Sequence, residues 1–185
     1  MADTDRLVNL LGAFGLAVGD RVRAETEAAV GHSGAAAAAL VMIAQFPGRT
    51  VEFLRRAVGL SHPAAVRVVD RLVDDGLVRR RVAGRGPAVA LTATARGLRA
   101  ARRVLDVRRA ALTDALPPLS PAEARALTRV LERALDGLAD TPGTTICRLC
   151  DMGRCRGGPD CPVEGRQVAL GVPPPPFVAV EDDGD

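Results

Sequence analysis

The chain of 185 residues has no Trp, no Tyr and no Lys, and only four Phe, three Met and two His. So few aromatic rings argue against an aromatic-lined ligand pocket. The missing lysine leaves all 25 basic residues as Arg, a bias that reflects a GC-rich genome rather than a recognition code. No apolar run reaches the roughly 18 residues a bilayer span needs. The N-terminus lacks a charged start followed by a continuous apolar core, so no signal peptide is expected and the protein is expected in the cytoplasm. There is no Ser/His/Asp or Cys/His set, no phosphate loop and no acid pair placed on one face, so an enzyme is not expected. Cysteine is absent from the first 146 residues.

What is present is a chain able to build a core, with 48% hydrophobic residues and a mean hydropathy of +0.12. Its length suits one domain plus an appendage. Net charge is only +3, but residues 49–109 hold 15 Arg against 5 acids, a local excess of +10. A segment this basic favours a phosphate-rich partner.

Residues 50–92 organise the rest. Thr50 and Glu52 suit a helix start, and Phe53, Leu54, Val58 and Leu60 form its apolar side. Gly59 permits a sharp turn, and Ser61 caps a second helix with Pro63 in its first turn. In that helix Val66, Val69, Leu72 and Val73 are expected to face the core, leaving His62, Pro63, Ala65, Arg67, Asp70, Arg71 and Asp74 outside. Gly76 ends the helix. Val78 to Val82 and Ala88 to Leu91 read as two strands, with Arg85 at the tip of the loop and Arg79, Arg80 and Arg81 at its base.

These residues resemble the MarR-type winged helix-turn-helix regulators of bacteria. The resemblance rests on LSHPAAVRVVDRLVDDGLVRR, on the wing and on Leu91-Thr92, and extends over roughly the first 140 residues. Where family members carry an acidic residue beside the wing-tip arginine, this chain has Gly84 and Gly86 flanking Arg85. The resemblance implies a homodimer on double-stranded DNA, with Ser61, His62, Pro63, Ala65 and Arg67 at the major groove. Arg71, Arg79, Arg80 and Arg81 would hold phosphates, and Arg85 would reach the minor groove. A small-molecule effector is common in the family.

Around this centre, Leu7, Leu11, Phe14, Val18 and Val22 make an apolar stripe on an N-terminal helix. Residues 33–46 form an Ala-rich helix capped by Ser33, expected to pack under the recognition helix. A helix from Thr92 or Thr94 to about Leu116 carries Leu98, Ala101, Leu105, Leu112 and Leu116 on one side. Ser120-Pro121-Ala122-Glu123 is a capping box that opens another helix. Three apolar stripes exceed what a small winged domain covers, and a two-fold dimer would bury them.

The four cysteines fall in one run, Cys147-x2-Cys150-x4-Cys155-x5-Cys161. Four thiolates this close suit Zn2+, with an iron–sulfur cluster as the alternative. The run is expected near the subunit interface, just beyond the last dimerisation helix. The fold expected is mainly α: residues 1–140 a winged helix domain with dimerisation helices, 141–166 a four-cysteine metal-binding appendage, and 167–185 a flexible Pro-rich acidic tail. The function expected is a sequence-specific, homodimeric transcriptional regulator modulated by metal or redox state. The alternatives are an electron carrier using the four cysteines, or a nucleoid-type protein binding DNA without sequence preference.

Overall fold

The computed structural model describes residues 2–82, 89–155, 161–172 and 175–180. In chain order these form α1 (Ala2–Val30), α2 (Gly34–Gln45), α3 (Val51–Val58), α4 (His62–Asp74), β1 (Val78–Val82), β2 (Val89–Ala93), α5 (Ala95–Asp114) and α6 (Pro121–Leu138). A 3-10 turn (Ile146–Leu149) and the short helices α7 (Met152–Cys155) and α8 (Pro162–Ala169) follow. The two strands pair antiparallel, and Arg49 adds a single bridge to Leu91.

Helix α2 is the centre of the body. It carries no charge, every residue from Ala36 to Gln45 is buried, and α1, α3, α4 and α5 all pack on it. A helix apolar all round is stable only when enclosed, and its alanines let neighbouring backbones approach closely. The expected cap at Ser33 is replaced: the Ser33 side chain makes no capping bond, and the Glu27 carboxylate accepts from the Gly34 N–H at 2.8 Å. The end of α1 runs beside the start of α2, so an acid from the neighbouring helix satisfies the orphan donor and faces the positive end of the dipole.

Helix α1 lies along α5, and its stripe splits. Val18 and Val22 are half-buried, while Leu7, Leu11 and Phe14 are exposed. Helix α6 begins with the predicted capping box of Ser120 and Glu123, has no buried residue, and leaves Val130, Leu131 and Leu138 open. No single helix among the described residues is long and apolar enough to cross a membrane.

The described residues beyond α6 fold back on the winged unit. Gln45, fully buried at the end of α2, is the clamp: its Nε2 donates to the Cys150 carbonyl at 3.0 Å and its Oε1 accepts from the Met152 N–H at 2.7 Å. The Gln45 carbonyl, left over at the helix end, accepts from the Val178 N–H at 2.8 Å. Within the stretch expected as a flexible tail over 167–185, described residues make contacts with the body. Helix α8 continues to Ala169, Phe177 packs on the core, and Val180 is buried with its carbonyl accepting from Arg102 at 2.7 Å. The polyproline composition builds no core of its own, but Phe177 and Val180 give it two apolar anchors on an existing one.

Three substitutions test these constraints. Gly97, at the start of α5, sits so close to the Leu77 backbone that an added Cβ would stand 1.9 Å from the Leu77 carbonyl oxygen. Gly97→Ala should therefore cost about 2–3 kcal/mol in denaturant unfolding. Gly165→Ala in α8, with open space around it, should instead add about 0.5–1 kcal/mol. Gln45→Leu strands two buried backbone groups and should cost about 2–3 kcal/mol. Limited proteolysis should then cut residues 140–180 first, leaving the winged unit intact; unchanged protection would mean that Gln45 is not the clamp.

Candidate nucleic-acid interface

The helix-turn-helix is set by local chemistry. The Thr50 hydroxyl accepts from the Phe53 N–H at the start of α3, and Gly59 ends that helix at φ 76°. One residue on, the Ser61 hydroxyl accepts from the Ala64 N–H, with Pro63 in the first turn of α4 where its missing N–H costs nothing. Gly76, at φ 68°, closes α4, and the Leu77 N–H returns to the Leu72 carbonyl at 2.9 Å.

The inward face of α4 is Ala65, Val69 and Leu72, all fully buried. Ala65 was expected at the base edges and cannot reach them. The expected core stripe put Val66 inside, but the inward line runs at Ala65, one residue and about 100° round, and Val66 is only half-buried. Ser61, His62, Pro63, Arg67 and Arg71 lie exposed along the outer side and the N-terminal end, as expected.

On the wing, Arg80 pairs with Leu91 in the ladder and so shares the face of buried Val78 and Leu91. That face looks toward α4, and Arg80 Nη2 lies 2.6 Å from Asp70 Oδ1. Arg80 thus ties the wing to the recognition helix. Arg79 and Arg81 project from the opposite face and are exposed. Arg67, Arg71, Arg79 and Arg81 make no ion pair among the described residues. Arg85 and the loop tip at 83–88 lie outside the described residues.

Sequence reasoning missed the other end of α4. His32, between α1 and α2, hydrogen-bonds the Asp75 carboxylate, and Arg96 from α5 donates to the Asp75 carbonyl at 2.9 Å. Both fix the C-terminus of the recognition helix to the body. Only long-range packing brings position 32 to position 75, so no local pattern could have announced it.

The four cysteines are free thiols, each half-buried, and interact chiefly as two pairs, Cys147 with Cys150 and Cys155 with Cys161. Cys147 is within electrostatic reach of the other three. The hydrogen bond from Cys147 pulls the Cys150 thiol down from its ordinary value, helped by the charges of Arg108 and Arg148. The Cys147 thiol is pushed up by the same bond and by burial. Burial, then the bond to Cys161, pushes Cys155 up to about 12. Among the described residues no three His, Cys, Asp or Glu side chains already stand at metal-holding geometry. The two histidines lie elsewhere, His32 between α1 and α2 and His62 at the start of α4.

A model of the MarR family matches residues 31–86. Among solved structures, the MarR-family protein of Mycobacterium tuberculosis in complex with DNA is 31% identical, with 67% of this chain and 96% of that one covered, at a TM-score of 0.54. The same protein in complex with salicylic acid aligns at 29% identity over 68% of this chain and 93% of that one, TM-score 0.53. The YusO protein of Bacillus subtilis, at 17% identity, shares the fold at a TM-score of 0.59 over 72% of this chain and 94% of its own. A search of the curated proteins found no match. With the two helices and the wing in the expected order and 31% identity to a relative matched over nearly its whole length, the chain belongs to the MarR family of winged-helix transcriptional regulators.

Proposed function

We propose that the protein is a homodimeric regulator that binds a specific double-stranded DNA operator through α4 and the wing. The observation that carries this reading is the set of exposed, uncommitted arginines, Arg67 and Arg71 on α4 and Arg79 and Arg81 on β1, held in one orientation by the Arg80–Asp70 bridge. His62, Pro63 and Arg67 approach base edges in the major groove, with Ser61 fixing the helix start. Arg71, Arg79 and Arg81 hold phosphates, and Arg85 extends into the minor groove. The DNA complex of the tuberculosis relative supports this use of the fold. The open apolar residues of α1 and α6, among them Leu7, Leu11, Phe14, Val130, Leu131 and Leu138, support a two-fold dimer built from these helices.

We also propose that the four thiols hold Zn2+, which would fix four thiolates tetrahedrally and staple residues 147–161, with an iron–sulfur cluster as the alternative that would add sensitivity to oxidation. Two thiol pairs within mutual electrostatic reach supply the donor set for either. Residues 156–160, between the third and fourth cysteine, lie outside the described residues.

A two-fold dimer predicts a palindromic operator with half-sites about one helical turn apart, readable by footprinting; a single unrepeated half-site would count against it. Arg67→Ala should weaken operator binding by about 1–3 kcal/mol and relax preference at one position. A loss equal on all duplexes would make Arg67 a phosphate contact, and equal affinity of the unaltered protein for all duplexes would make it a nucleoid-type binder. Protein purified without oxygen should carry about one zinc per chain and no visible absorption band. A visible band that Cys150→Ser and Cys155→Ser abolish would put the cluster there, and metal-free protein would reject the site.

A further inference from the structure

Among the described elements, helix α6 packs chiefly on α8, and it buries none of its own residues. What fixes α8 therefore also fixes α6. The link between them is Gln167 of α8. Its Nε2 donates to the Ala139 carbonyl at 2.9 Å and the Thr141 carbonyl at 3.1 Å, and its Oε1 accepts from the Gly143 N–H at 2.7 Å. These groups lie at and just past the end of α6, so one side chain satisfies the carbonyls that a helix end leaves over.

The cysteines divide between two docked pieces. Cys147, Cys150 and Cys155 lie on the 3-10 turn and α7, and Gln45 of α2 holds that piece through the Cys150 carbonyl and the Met152 N–H. Cys161 lies on the other piece, as the residue that opens α8, where its carbonyl accepts from the Gly165 N–H at 2.9 Å. Cys147 and Cys161 line the same cavity and stand within electrostatic reach of each other. The two pieces thus bring their thiols to a common space.

An ion held by all four thiols bridges the two pieces. A site whose ligands come from a loose chain must order that chain at the moment of binding, whereas ligands carried on docked pieces spare most of that cost. A zinc ion with four thiolates keeps a net double negative charge, and Arg108 of α5 and Arg148 stand close enough to Cys150 to offset it.

We propose that the four-cysteine site is a brace: an ion shared by the turn–α7 piece and α8 locks the end of α6 to the body of the winged unit, with Gln45 and Gln167 as the positioning residues that hold the two halves of the ligand set. This rests on the metal-binding reading above. Binding and docking are then linked. The factor by which docked halves tighten the ion is the factor by which the ion tightens the docking of α8 on α6.

The full-length protein, stripped of metal without oxygen, is titrated with Co2+, whose visible bands report tetrahedral thiolate ligation, and the bound Co2+ is then displaced with Zn2+. About one ion per chain is expected. Gln45→Leu and Gln167→Ala should each weaken Co2+ by about tenfold or more with the bands unchanged, because neither residue is a ligand. Val168→Ser, on the exposed side of α8, should leave the affinity as it was. In the unaltered protein, loading should slow hydrogen exchange at the Gly143 N–H by about tenfold or more; in Gln167→Ala it should make no difference there. Affinity unaffected by Gln167→Ala, or exchange at Gly143 indifferent to the ion, would overturn the brace while the bands uphold the four-thiol site, and this holds even if Gln45→Leu fails to fold. Co2+ taken up without the tetrahedral thiolate bands, or not taken up at all, would sink the four-thiol reading and the brace with it.

Discussion

The enclosure of α2 is the constraint on which the rest depends. A helix without a charge, buried along nearly its whole length, forces four other helices to gather round it, and so sets where α4 presents its outer face and where α1 and α5 run together. Burying a side chain such as Leu40 or Val41 is worth about 1.5–3 kcal/mol, so the dozen residues of α2 supply a large share of the drive to fold. The one polar side chain buried in this helix, Gln45, would be costly without partners. Its partners come from residues 150 and 152, which turns a necessity of the core into the attachment point of the C-terminal segment.

The recognition helix is held at both ends by different means. At its start the fixing is local: Gly59 in a left-handed turn, the Ser61 cap and Pro63. At its end it is global, through His32 and Arg96 on Asp75, and through the close approach of Gly97 to Leu77 that brings α5 against the base of the wing. Midway, Arg80 reaches from β1 to Asp70. An element pinned in this way presents its side chains with little freedom, which lowers the ordering cost of a specific contact.

Local signals were the legible ones. Caps at Thr50, Ser61, Thr94 and Ser120, the glycine stops and the strand pair all appear where residue type and spacing put them, because each rests on groups within a few residues of one another. The misreadings share another cause. Ala65 was placed outside because a small residue carries little hydrophobic signal, yet a small residue is what a closely packed helix face accepts. Arg80 looked like its neighbours Arg79 and Arg81 until strand alternation put it on the inner face opposite Asp70. The Glu27 cap, the His32–Asp75 bond and the docking of Val180 all join residues distant in sequence or in different helices. Nothing local encodes those meetings.

The arginines divide the surface into two chemistries. Charge composition alone treats all 15 Arg of residues 49–109 as one basic field. In the fold, Arg55 and Arg56 share the one carboxylate of Glu52, a turn away on the same helix, which offsets one of their two charges, whereas among the described residues Arg67, Arg71, Arg79 and Arg81 have no acid partner. A paired guanidinium is a poor phosphate ligand because approaching an anion means losing its carboxylate, and an unpaired exposed one carries no such cost. The same residue type therefore plays two parts in the helix-turn-helix: unpaired charge on the outer side of α4 and the wing, which suits a polyanion, and guanidiniums tied to a carboxylate on α3.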